Sequence, residues 1–86
     1  MTETRAEYST GVRDPEEVER EQQLLWVLGY RKVGLQPGSF YEALFQAALR
    51  ADVGNLARIR QGFPLVELAV TRWQDGTLRD RYGLDE

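Results

Sequence analysis

The side chains able to do chemistry in this chain are few and of one kind. Ten arginines and one lysine stand against fourteen acids, with no histidine and no cysteine. General acid–base catalysis most often uses histidine, and nucleophilic sites often use a Cys-His or Ser-His pair; neither pair can be assembled here. Paired carboxylates remain, but Glu16, Glu17 and Glu19 fall at the start of an expected helix, where capping, the helix dipole and solvation account for acids. A non-enzymatic protein is the expectation. Only oxygen ligands exist for a metal and no EF-hand spacing occurs, so neither metal nor cofactor is expected.

The arginines are the remaining candidates. Arg50, Arg58, Arg60 and Arg72, with Trp73, Tyr41 and Asn55, form the candidate ligand set. A guanidinium can hold a phosphate while a ring stacks on a base. Arg58 and Arg60 are two residues apart, about 200° around a helix, so they cannot share one face. Arg58 can approach Arg50 across a turn, and Arg72 adjoins Trp73. The plainer reading, favoured for any single residue, is that the arginines solvate exposed faces and the rings are core. "GLQPGS" and "ADVGN" precede helix starts, which favour anions. They lack the lysine of a phosphate loop and read as connector and cap. A helix-turn-helix needs a glycine in its tight turn with apolar offsets around it. Taking Gly54 for that glycine puts charged Arg50 and Arg60 at such offsets, and the net charge of −3 also disfavours DNA.

The elements that must position these groups are helical. Asp14, Pro15 and Glu17 supply an N-cap, a proline at the first helical position and a capping-box glutamate for "PEEVEREQQLLWVLGY". Val18, Leu25 and Leu28 share a face there, and Glu16 and Arg20 are spaced as an i,i+4 pair. The run at 24–33 also fits a buried strand, but no other strand is available to pair with it, so helix is expected. "VGLQPGS" is a connector. Ser39 and Glu42 form a second capping box ahead of helix 39–51, whose stripe is Phe40, Leu44, Phe45, Ala48 and Leu49. Asp52 or Asn55 caps a short third helix carrying Leu56, Ile59 and Phe63. Gly62 is its expected left-handed stop, and Pro64 opens a fourth helix, 64–75, ending at Gly76. That helix is apolar nearly all round, through Leu65, Val66, Leu68, Ala69, Val70 and Trp73. It must be central in the bundle or shared with another chain, and these six residues are the candidate oligomer interface.

The expected organisation is a loose arm over 1–13, one helical domain over 14–76 and a patternless tail over 77–86. The fold class is all-α, a compact bundle of three to four short helices. Eighty-six residues lie near the lower limit for an independent core, and no disulfide is possible, so completion by homo-oligomerisation is expected. Charge is segregated along the chain: residues 1–30 carry three cations and seven acids (−4), 31–72 six and three (+3), and 73–86 two and four (−2). The basic middle can face an anion or the acidic end of a neighbouring copy. No apolar run approaches the roughly 18–20 residues a membrane helix needs. "MTETRAEYST" has acids and no apolar run where a secretory signal requires one. A soluble intracellular protein is expected.

From Ser39 to Trp73 the chain resembles small helical proteins encoded by bacteriophages. The resemblance rests on aromatic Phe40, Tyr41 and Phe45 with Leu44, then Ala51-Asp52, Asn55, Leu56 and Arg60, and a Gly62-Phe63-Pro64 stop. It does not extend over the acidic first helix. What it implies is a setting, the cytoplasm of a host bacterium, more than an activity. Proteins of that kind are often non-catalytic: some block a host enzyme, some counter antiviral defence, some sequester a signalling nucleotide in an oligomer. The leading expectation is therefore an accessory protein that inhibits a host protein or counters host defence by binding. The alternatives are an oligomeric nucleotide sponge and, less favoured, a small DNA-binding regulator.

Overall fold

The computed structural model describes residues 14–84. Among them the chain is all-helical: α1 Pro15–Val27, α2 Ser39–Arg50, α3 Val53–Gly62, α4 Pro64–Gln74 and α5 Thr77–Tyr82. The expected arm, 1–13, lies outside the described residues. Among those described, no helix is long and apolar enough to cross a membrane.

Helix α4 is the axis of the bundle, and each of the other four packs against it. Its Val66, Ala69 and Val70 are buried with Leu24, Leu25, Phe45, Ala48 and Leu78, drawn from α1, α2 and α5. This corrects the expected interface role of Val66, Ala69 and Val70, which are at most 2% exposed within one chain and offer nothing to a second. Leu65, Leu68 and Trp73 are half-buried, and Trp73 packs on the same core. The core thus closes within a single copy.

Local chemistry explains the ends of the helices. The Asp14 carboxylate accepts the Glu16 N–H at 2.9 Å, an N-cap as expected, but Glu17 turns away from a capping box towards Arg72. Helix α1 ends at Val27, short of the expected Tyr30. Gly29, at φ +106°, reverses the chain; its N–H donates to the Trp26 carbonyl at 3.0 Å, and the Tyr30 N–H to that of Leu25 at 2.9 Å. That pair of bonds is a Schellman turn, which needs a left-handed residue at the position of Gly29. The second expected capping box is also absent: Gly38 is the N-cap, Ser39 is already helical, and there is no side-chain cap. Asp52 does cap α3, accepting the Asn55 N–H at 2.8 Å.

Two further expectations need correction. Gly62 is the last residue of α3 and is not among the positive-φ glycines. Phe63, at φ −139° and ψ 69°, makes the corner instead, because the residue before a proline is kept out of the helical region. Within the expected tail, residues 77–84 are not patternless. Thr77–Tyr82 is a helix whose Leu78 is fully buried. It begins just after left-handed Gly76, with the Thr77 N–H donated to Asp75 at 2.9 Å. A hydrogen bond from the Thr77 side chain, with that backbone bond, lowers the Asp75 pKa from its ordinary value. A lowered folded pKa stabilises the fold above the usual carboxylate range and ceases to do so as pH falls through the lowered value.

The connector after α1 is strapped across that helix. The Leu35 N–H donates to the Gln22 carbonyl at 3.0 Å, and Gly34 sits so close that an added Cβ would lie 2.6 Å from the Trp26 nitrogen and 2.7 Å from its Cα. Backbone cannot yield as a side-chain tip can, so Gly34→Ala must lift the strap. Chemical denaturation is expected to show a loss of about 1–3 kcal/mol, the usual cost of overpacking. An unchanged midpoint would contradict this packing.

Candidate functional site

The anticipated arginine constellation does not converge. Arg50 is exposed at the end of α2. Arg58 donates to Asn55 Oδ1 at 2.8 Å, a side-chain pair within α3, and the Asn55 N–H is engaged in its cap. Arg60 is exposed beside a shallow groove of about 210 Å³ lined by Val53, Leu56, Ala57 and Glu67. Arg72 points inward to Glu17 and Glu21 rather than joining Trp73. Consecutive helical residues project about 100° apart, so the two cannot share a direction. Trp73 instead carries Arg79 over its ring at 4.5 Å, with Tyr30 at 5.9 Å between centroids. Gly54 lies inside α3, not in the α2–α3 turn where a helix-turn-helix would place it.

What sequence reasoning missed is a buried carboxylate. Glu21 is 1% exposed. It accepts from Arg72 at 2.7 Å, Arg81 at 2.8 Å and the Tyr82 hydroxyl at 2.9 Å. Glu17 holds Arg72 at 3.2 Å. Burial works against the Arg72 charge, yet the hydrogen bonds it donates to Glu21 and Glu17, reinforced by their charges, leave its pKa raised. A signal was present in the sequence: Glu21 lies three, four and seven residues before Leu24, Leu25 and Leu28, on the buried face of α1. Its donors come from α4 and from α5, which sequence periodicity did not reveal. With both oxygens occupied, this carboxylate is a clamp on three helices and not a free base.

The open feature of the molecule lies beside it. A cleft of about 390 Å³ is lined by Glu16 and Arg20 of α1, Tyr41 of α2 and the corner Gly62–Val66. Its size lies in the range of small-molecule and side-chain pockets. Arg20 lies over the Tyr41 ring at 4.3 Å and donates to the Tyr41 hydroxyl at 3.3 Å and to Gln23 at 3.2 Å. Phe40 extends the wall outward, 5.4 Å from Tyr41 and 5.6 Å from Phe63 between ring centroids. It is 59% exposed. Of the expected ligand residues, only Tyr41 reaches this cleft, and its cationic partner is Arg20, which the sequence reading had paired only with Glu16. That i,i+4 pair is present at 3.7 Å. Among the described residues, no group of three or more acids could hold a metal ion.

Removing one partner of a buried ion pair strands the other. Arg72→Ala leaves Glu21 with fewer compensating donors, and a loss of about 3 kcal/mol in urea unfolding is expected. A loss under about 1 kcal/mol, the scale of an exposed pair, would show that the clamp bears little of the fold's stability.

No family model, curated protein or solved structure matches this chain.

Proposed function

We propose that this chain is a non-enzymatic binding protein that docks a protein partner on the aromatic cleft. It fits the accessory role implied by the bacteriophage resemblance, blocking a host protein or countering host defence. The observation that carries this reading is Phe40, a large apolar ring 59% exposed and continuous with Tyr41 and Phe63 at the cleft mouth. Exposed apolar surface of this kind is costly to keep in water and marks interaction sites when it adjoins a concave wall. Aromatics and arginine are also the side chains that dominate interface energetics. Arg20, stacked and hydrogen-bonded, is held in place before any partner arrives, which lowers the ordering cost of association.

The nucleotide-sponge reading draws less support, since its four arginines point to separate places and the most buried of them is committed to Glu17 and Glu21. Catalysis draws none from the buried carboxylate, whose oxygens are occupied by donors of α4 and α5.

Affinity capture from bacterial lysate tests the proposal when the wild type is compared with Phe40→Asp. The wild type is expected to retain a discrete partner. The variant, equally helical by circular dichroism, is expected to lose it by at least about tenfold, since an interface hot spot contributes about 2 kcal/mol or more. Retention of nothing by the wild type, or of the same partner by the variant, overturns the assignment.

A further inference from the structure

The charges at the aromatic cleft are unequal in their access to solvent, and the difference selects what can enter. Arg20, the one guanidinium in the lining, is already committed. Its side chain is 13% exposed, lies over the Tyr41 ring and donates to the Tyr41 hydroxyl and to Gln23. The acids flanking it face water: Glu16 is 61% and Glu19 53% exposed, each 3.7 Å from Arg20, beyond hydrogen-bond distance. Asp14 adds a third carboxylate at the start of the same helix, where it accepts a backbone N–H. The positive end of the helix dipole offsets only about half a charge, so the rim stays acidic. The rest of the lining, Tyr41 and the corner Gly62–Val66, is uncharged. Acidic rim and apolar wall are joined in one row of contacts. Glu16 adjoins Arg20, Arg20 lies on Tyr41, and Tyr41 meets Phe40, with Phe63 against both rings.

We propose that the cleft takes a basic segment of its partner: an arginine that pairs with Glu16, a few residues from an apolar side chain that packs on Phe40 and Phe63. This rests on the proposed function and names the chemistry of the partner it requires. A segment that covers the aromatic wall also takes Glu16 out of water. Its contact with Arg20 is too long to compensate it, so a neutral or acidic segment strands a carboxylate, whereas a cation meets it. Arginine fits better than lysine, because its planar fork can hold a carboxylate through two N–H groups and is more weakly hydrated. Apolar burial supplies most of the attraction; the ion pair sets selectivity and makes binding salt-sensitive.

NMR titration of the full chain with two peptide amides tests the assignment. In one, two alanines separate a leucine from an arginine; in its twin, citrulline replaces the arginine and keeps the shape without the charge. The arginine peptide is expected to shift the ring signals of Phe40 and Phe63 and the side-chain signal of Glu16. The citrulline twin is expected to bind at least about threefold more weakly, the scale of a surface ion pair. On Glu16→Gln that difference between the peptides is expected to vanish, which assigns it to one contact. Glu16 is mostly exposed, so its replacement reads binding without disturbing the fold. No shift at these residues, equal binding of the twins, or a preference that survives Glu16→Gln each overturn the proposal. So does a shift of the same signals when the chain alone is concentrated, which puts a second copy in the cleft. Twins that bind equally beside a Phe40-dependent capture defeat the arginine assignment and leave the proposed function standing. A charge-selective peptide site on a chain that captures nothing does the reverse.

Discussion

The carboxylate of Glu21 organises this small fold. Taking it out of water costs several kcal/mol, and only multiple charged or hydrogen-bonding donors can offset that cost. Arg72 of α4 and Arg81 and Tyr82 of α5 provide them, so three helices converge on one group. Apolar packing alone leaves a protein of this length near the margin. The clamp adds direction to that packing, because one N–H from each of two guanidiniums and a hydroxyl meet Glu21 in few relative orientations of the helices.

The same helix turns the clamp into a frame for the cleft. On α1 the pair Glu17 and Glu21 faces α4 and α5, while Glu16 and Arg20, each one residue earlier, face the cleft. One residue is about 100° of rotation, so a single amphipathic segment serves the sealed ionic interior and the open aromatic surface side by side. The two pairs differ in weight. Glu21 is sealed, with its donors about three-quarters covered. Glu16 is mostly in water at 3.7 Å from Arg20 and is free to exchange partners. Stability resides in the first pair, and the proposed recognition in the second.

The helices themselves were legible from punctuation. Asp14 with Pro15, Asp52, Pro64 and Gly76 mark real boundaries, and the stripe of Phe45 and Ala48 is core. The breadth of apolar surface on α4 correctly posed the choice between a central and a shared helix. Sequence alone could not decide it, since the covering residues come from α1, α2 and α5. Two capping boxes failed for local reasons: Glu17 found a stronger cationic partner in Arg72, and Gly38 took the cap position ahead of Ser39. Helix α5 was missed because six residues give too few turns for periodicity to register; its evidence is tertiary, in Leu78 and the reach of Arg81 and Tyr82 to Glu21. The candidate site was the least legible part. Periodicity reports which face a residue occupies, not which distant side chain it meets, so Arg72 read as a ligand candidate beside Trp73 or a solvated group, and Arg20 only as one half of a local pair.

A molecule built this way has its buried charges occupied and its aromatic surface open. Everything on the open side depends on the clamp keeping α1, α4 and α5 in register. Hydrogen exchange on a Glu21→Gln chain tests this most directly. Loss of the clamp's charge should release α5, so that the amides of Asp80 and Leu84 lose the protection their bonds to Gly76 and Arg79 confer, while the central turns of α4 stay protected. Unaltered protection across α5 would contradict the clamp and the architecture derived from it.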